Sequence, residues 1–269
     1  MSDAGNYGFE WFELITKALN SSFGTALAGA FFGAVAANYF AIRTESRQAL
    51  TERLLAGNAA TSFSIAIFQH ALGFKDQMYE VLVEDYFRDR ERYMNFVDAK
   101  LQSPTEEVNF VVQYNFGSVP AFRTDADRIS ELIALKAGAA QKVLMAASTL
   151  QQVVDSLARC ISARNEQLAL LSQQKDSMND DEFARAYFGV EDSEGNIDVR
   201  LFEAVKGLQH QLDDTIFFSK YIAQNLAIQN EALAMKIGKS SPPPTKLIFD
   251  QERVAQLLPD EMEYPDWLD

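Results

Sequence analysis

The chain has 269 residues, 48% of them apolar and 23% charged, the make-up of a folded protein and not of a collagen-like, low-complexity or wholly disordered one. Acidic side chains outnumber basic ones 38 to 24, for a formal net charge of -14; general attraction to phosphate backbones is disfavoured, no local basic patch offsets it, and nucleic acid is not an expected partner. The single cysteine, Cys160, excludes an internal disulfide and any CxxC motif, and the two histidines, His70 and His210, are far apart in sequence, which leaves little for metal or triad chemistry.

From Ala18 to Ile42 there is no charged residue. The stretch from Phe23 to Ile42 (FGTALAGAFFGAVAANYFAI) has the length at which a helix rising about 1.5 Å per residue crosses about 30 Å of hydrocarbon. The pattern predicts a transmembrane helix over 23–42, the competing reading being a core helix of a soluble bundle. The lead-in over residues 1–22 carries Asp3, Glu10 and Glu13 against one Lys17, unlike the positive start of a cleavable signal, so cleavage is not expected. Arg43, Arg47 and Arg53 follow the apolar stretch, and the positive-inside rule then places the C-terminal part in the cytoplasm and the N-terminus outside. The expected location is the cell inner (cytoplasmic) membrane, single-pass. Trp11, Phe12 and Tyr39 fall where the headgroup layers would be, and Phe9 to Leu19 could lie along the outer interface as a short amphipathic helix.

Small residues recur through the span. One row is Ala26, Ala30, Ala34 and Asn38, and the adjacent row is Thr25, Gly29, Gly33 and Ala37. Such rows let helix backbones approach closely, with Gly29 and Gly33 forming a GxxxG pair and Asn38 able to hydrogen-bond across the contact. Besides membrane lipid, the expected partners are therefore a second copy of the chain, in a homo-oligomer, and an unknown protein.

Residues 43–238 read as helix nearly throughout, so the fold class is all-α: a cytoplasmic helical bundle with a long antiparallel coiled-coil-like hairpin. Leu50, Leu54, Thr61, Ile65, Phe68 and Leu72 extend the first helix to about Gly73, and a second is expected from about Asp76 to Leu101, ended by Ser103-Pro104. The run Val108 to Phe116 (VNFVVQYNF) has strand-like composition without a partner strand, which favours a short buried helix or an irregular packing segment. Past a cap candidate at Asp125, a heptad runs from Ala140 through Val143, Ala147, Leu150, Val154, Leu157 and Ile161 to Leu168 and Leu171, broken only by Arg164. A matching helix runs from about Val199 to Lys239, joined to the first by an acidic connection containing Asn179, Asp180, Asp181 and the turn from Asp192 to Asn196. A bundle of four or five helices is the economical arrangement.

Composition changes at Gly238, opening a linker and tail over 239–269. The triproline should be a stiff spacer. Beyond it, Asp250 can cap a short helix to about Leu258 with Phe249 and Val254 as a hydrophobic staple, and Leu257, Leu258 and Trp267 add apolar contacts. These residues form the expected docking peptide of the tail, against a largely disordered alternative.

No constellation for catalysis emerges. The run Glu80 to Arg92 interleaves carboxylates with Arg88, Arg90 and Arg92 as a solvated salt-bridge face. Neither histidine has a glutamate three residues before it, and the acidic turn at Asp192 has its glycine at the wrong place for a calcium loop. No cofactor or metal is expected. The arrangement resembles bacterial proteins with one N-terminal inner-membrane helix and a cytoplasmic helical bundle, a likeness of architecture without a diagnostic motif. The expected function is a membrane-anchored interaction, scaffold or regulatory protein without catalytic activity; the alternative is an oligomeric membrane-perturbing effector, in stress or anti-phage defence, that assembles through the small-residue face.

Overall fold

A computed structural model describes residues 17, 22–102, 110–192, 194–246 and 254–267, the side chains of 22–25, 27 and 28 excepted. Among the described residues every regular element is helical and no strand occurs, so the chain is all-α and the strand-like run before Phe116 adds no sheet. It divides into two compact units, residues 1–52 and 53–269.

Helix α1 (Ser22–Tyr79) begins in the first unit. From Gly29 to Ala49 every residue is exposed. The membrane span expected over 23–42 has no support from the described residues, among which no helix is long and apolar enough to cross a membrane. Arg43 ends the charge-free part of the helix.

In the second unit the sequence-based break near Gly73 is corrected. Helix α1 passes through it to Tyr79, widens into a π-turn at Glu80–Glu84 and continues as α2 (Asp85–Gln102). Leu72 and Phe74 on either side of Gly73, and Leu82 and Val83 in the π-turn, are buried. Core packing on both flanks carries the helix across a glycine that by itself costs only about 1 kcal/mol.

Helix α3 (Ala126–Leu132) follows, extended by a π-turn at Ile133–Ala137. Asp125 stands at its start, but the side chain makes no capping hydrogen bond. Gly138 then turns the chain with a φ of 62°, a left-handed value that glycine adopts without steric cost. The two long helices of the expected hairpin are α4 (Gln141–Gln174) and α6 (Arg200–Ile237). A Cβ on Gly207 would lie 2.7 Å from Cys160 Sγ, and Gln229 donates to the Gly138 carbonyl at 3.2 Å, so the pair runs antiparallel in close contact. Helices α1 and α2 run antiparallel to α6 as well. Gly57 lies against Asn230, Lys75 pairs with Asp213 at 2.6 Å, and the rings of Phe87 and Phe202 are 6.0 Å apart. The bundle is therefore built on three long rods instead of four or five, because the first two expected helices are one.

From Val143 on, the heptad is buried as its spacing predicts, with Val143, Ala147, Leu150, Val154, Leu157, Ile161, Leu168 and Leu171 all in the core, while its first position, Ala140, is exposed just before α4. Arg164, the break in that series, is buried too, at 3% exposure. Its Nη1 donates to the Gly117 carbonyl at 2.9 Å, so the arginine tethers the irregular segment 110–125 where a leucine would only have packed.

The acidic connection holds a helix that the periodicity did not show, α5 (Asp180–Phe188). Its start is a capping box: Asn179 Oδ1 accepts from Glu182 N at 2.9 Å and Glu182 Oε2 accepts from Asn179 N at 3.1 Å. Gly189, with a φ of 61°, closes it. A helix this short is not stable alone. Aromatic contacts hold it: Phe188 is fully buried, stacked on Tyr93 with centroids 5.4 Å apart and near Tyr86, Tyr114 and Tyr187.

Candidate functional site: an exposed helix face and a clasped tail

Among the expected helix-packing residues, Ala26, Gly29, Ala30, Gly33, Ala34, Ala37 and Asn38 are exposed on α1; the side chain of Thr25 lies outside the described residues. Their spacing of three and four sets them along one stripe of a continuous helix. A Cβ built on Gly29 or Gly33 meets nothing within 4 Å among the described residues, so no packing described within the chain requires a glycine at either position. Large apolar rings share this segment: Phe31, Phe32, Tyr39 and Phe40 are 60% to 70% exposed. Arg43, Arg47 and Arg53, the expected orientation charges, are exposed where the apolar run ends and just beyond it. Trp11 and Phe12 lie outside the described residues.

The tail returns to the bundle. Asn58 of α1 donates through Nδ2 to the Pro243 carbonyl at 3.0 Å and accepts from Thr245 N at 3.0 Å, so the triproline is pinned along α1. Of the expected docking residues, Val254, Leu257, Leu258 and Trp267 pack against the core cluster, and Phe249 and Asp250 lie outside the described residues. The residue that the sequence reading passed over is Tyr264. Its ring stacks on Phe217 of α6 at a centroid distance of 3.7 Å, and its hydroxyl donates to Asp214 Oδ1 at 2.8 Å. Trp267 meets the edges of Phe218 and Tyr221 at 5.0 and 5.6 Å, and Lys220 pairs with Glu261 at 2.7 Å. The only cue in the sequence was an aromatic among acidic residues, which charged or disordered tails also contain.

Burial raises the pKa of Asp214, partly offset by the Tyr264 hydrogen bond and the His210 charge and reinforced by Asp213. Trp267 fluorescence in a Trp11→Phe background should report a loosened tail in Tyr264→Phe, which loses the hydrogen bond to Asp214. An unchanged signal in that variant would remove this bond from the clasp.

Several other polar residues weighed in the sequence have structural contacts. His70 stacks on Phe122 with centroids 4.4 Å apart. Burial pushes the Cys160 thiol up, away from the thiolate that nucleophilic chemistry needs. Asp192 accepts from the amides of Glu194 and Asn196, both at 2.8 Å, an Asx turn. Within Glu80 to Arg92, Arg88 pairs with Asp85, Arg92 pairs with Asp89 at 2.9 Å, and Arg90 donates to the Phe188 carbonyl at 2.9 Å.

Set beside known proteins, the chain matches no family model, no curated protein and no solved structure.

Proposed function

We propose that this protein is a membrane-anchored interaction or scaffold protein without catalytic activity, single-pass in the cell inner membrane, with its N-terminus outside and its helical bundle cytoplasmic. The observation that carries this reading is the exposed, charge-free face of α1. Phe31, Phe32, Val35, Tyr39, Phe40 and Ile42 are each more than half exposed, and an uncovered apolar surface of this kind is the mark of contact with lipid or another chain. In this reading the charge-free sequence that begins at Ala18 completes a membrane-spanning length, and Arg43, Arg47 and Arg53 hold its inner end at the cytoplasmic headgroups. The glycines that intrachain packing leaves free support close approach of a second copy at Gly29 and Gly33, with Asn38 hydrogen-bonding across the contact. Confinement to a surface raises the effective concentration of a partner for the bundle without any new contact.

Sedimentation of washed membranes is the first test. The full chain should stay in the pellet through an alkaline wash and leave only with detergent; release by the wash alone would refute the anchor. A second measurement separates scaffold from effector. Overproduction should leave cells impermeable to ions, whereas leakage that Gly33→Leu abolishes would replace the scaffold with a membrane-perturbing oligomer.

A further inference from the structure

The second unit contains a cavity of about 390 Å³, within the range of small-molecule sites. Its walls are the π-turn and the first turn of α2, the irregular segment from Val112 to Phe116, Arg164 and Leu168 of α4, the end of α5, and Leu201 and Val205 of α6. Arg164 is its unusual feature. Arg164 is 3% exposed, yet among the described residues its hydrogen bonds leave from Nη1 alone, to the Gly117 carbonyl at 2.9 Å and more weakly to Asn165 Oδ1 at 3.5 Å. Arg164 lines the cavity, and no hydrogen bond is described from its Nε or Nη2.

Among the described residues no ion pair joins a carboxylate to this cation: of the two acidic residues on the cavity wall, Asp85 pairs with Arg88 of the same wall and Asp89 with Arg92. Desolvation lowers the Arg164 pKa, with the Tyr187 phenol acting against it. Burial raises the phenols that share the cavity, Tyr114 to about 12 and Tyr86 and Tyr187 also upward, so these phenols stay uncharged. A buried charge without a counter-charge is costly, and an apolar residue at this heptad position would avoid the cost. Arginine is the residue suited to oxyanions because its planar fork gives two parallel hydrogen bonds to a carboxylate or phosphate.

We propose that this cavity binds a small aromatic acid, its carboxylate or phosphate oxygens held by the Nε and Nη2 N–H groups of Arg164 and its ring packed among Tyr114, Phe116, Leu168 and Val205. The assignment is independent of where α1 resides, since every residue it uses belongs to the second unit.

Calorimetric titration of the full-length protein with benzoate and with phenyl phosphate tests it, with benzyl alcohol as the neutral control. At least one acid should bind saturably, whichever is tighter naming the head group, and benzyl alcohol should bind at least about 10-fold more weakly. Arg164→Leu should stay folded by circular dichroism, since leucine suits the heptad, and weaken the preferred acid by about 10- to 100-fold. Val112→Trp fills the cavity from its half-buried wall and should block the acid with Arg164 intact, which keeps the test decisive if Arg164→Leu misfolds. Absence of saturable binding by either acid, equal binding of benzyl alcohol, or unchanged affinity in folded Arg164→Leu or in Val112→Trp would overturn the site.

Discussion

Phe188→Ala should cost about 3–5 kcal/mol of stability, a large share of the roughly 5–15 kcal/mol that a folded domain has. Phe188 is fully buried where α2, the segment 110–125 and α5 meet. Its ring lies 5.0 to 6.3 Å from those of Tyr187, Tyr93, Tyr86 and Tyr114. Two backbone contacts depend on its position: Arg90 Nε donates to its carbonyl at 2.9 Å, and Tyr86 donates to the neighbouring Tyr187 carbonyl at 3.0 Å. Truncation leaves a cavity among rings that cannot collapse independently, and it releases a short helix that has little stability without them. Urea unfolding of the variant should show the loss as a lower midpoint. Phe32→Ala, at a position 70% exposed, should change it by less than about 0.5 kcal/mol. Equal losses at the two positions would mean that the aromatic cluster does not organise this end of the bundle.

Gly57→Ala should destabilise by about 1–3 kcal/mol, against the usual sign for a helical glycine, where alanine gains about 0.5–1 kcal/mol. A Cβ at position 57 would lie 2.1 Å from Asn230 Oδ1 and 3.0 Å from its Cγ, so the whole amide must move. Asn230 is 1% exposed and donates to Thr61 Oγ1 at 3.1 Å, while Thr61 itself donates to the Gly57 carbonyl at 2.8 Å. Displacing the amide breaks its one described contact and strands a buried polar group. The double variant Gly57→Ala/Asn230→Ala isolates the cause. It should be more stable than Gly57→Ala alone, because the clash and the stranded amide disappear together. Thermal unfolding that ranks Gly57→Ala above the parent would show that α1 and α6 are not held at this distance.

The three long rods were legible to different degrees for physical reasons. Both strands of the α4–α6 hairpin announce themselves because a stripe of apolar residues at spacings of three and four can be satisfied only on one face of a helix, and Val143 to Leu171 and Leu201 to Leu226 are buried accordingly. The passage from α1 to α2 was misread at Gly73, since a glycine ends a helix only when nothing outside the helix holds the next turn. Here Phe74 and Leu82 are held by the core. Helix α5 escaped because its amphipathic face is short and aromatic, and its capping box lies inside an acidic run that reads equally well as a solvated loop.

The amino-acid sequence by itself determined the helical class, the hairpin, the oddity of Arg164 in its heptad and the charge-free run of α1, because each is a property of residue types at fixed local spacing. Tertiary structure alone decided that Arg164 lines a cavity without an ion pair among the described residues, that Tyr264 and Trp267 close on Phe217, Phe218 and Tyr221, and that Gly29 and Gly33 meet no described residue across the helix. Those are contacts or vacancies between segments far apart in sequence, and local periodicity carries no information about which distant surface a side chain meets.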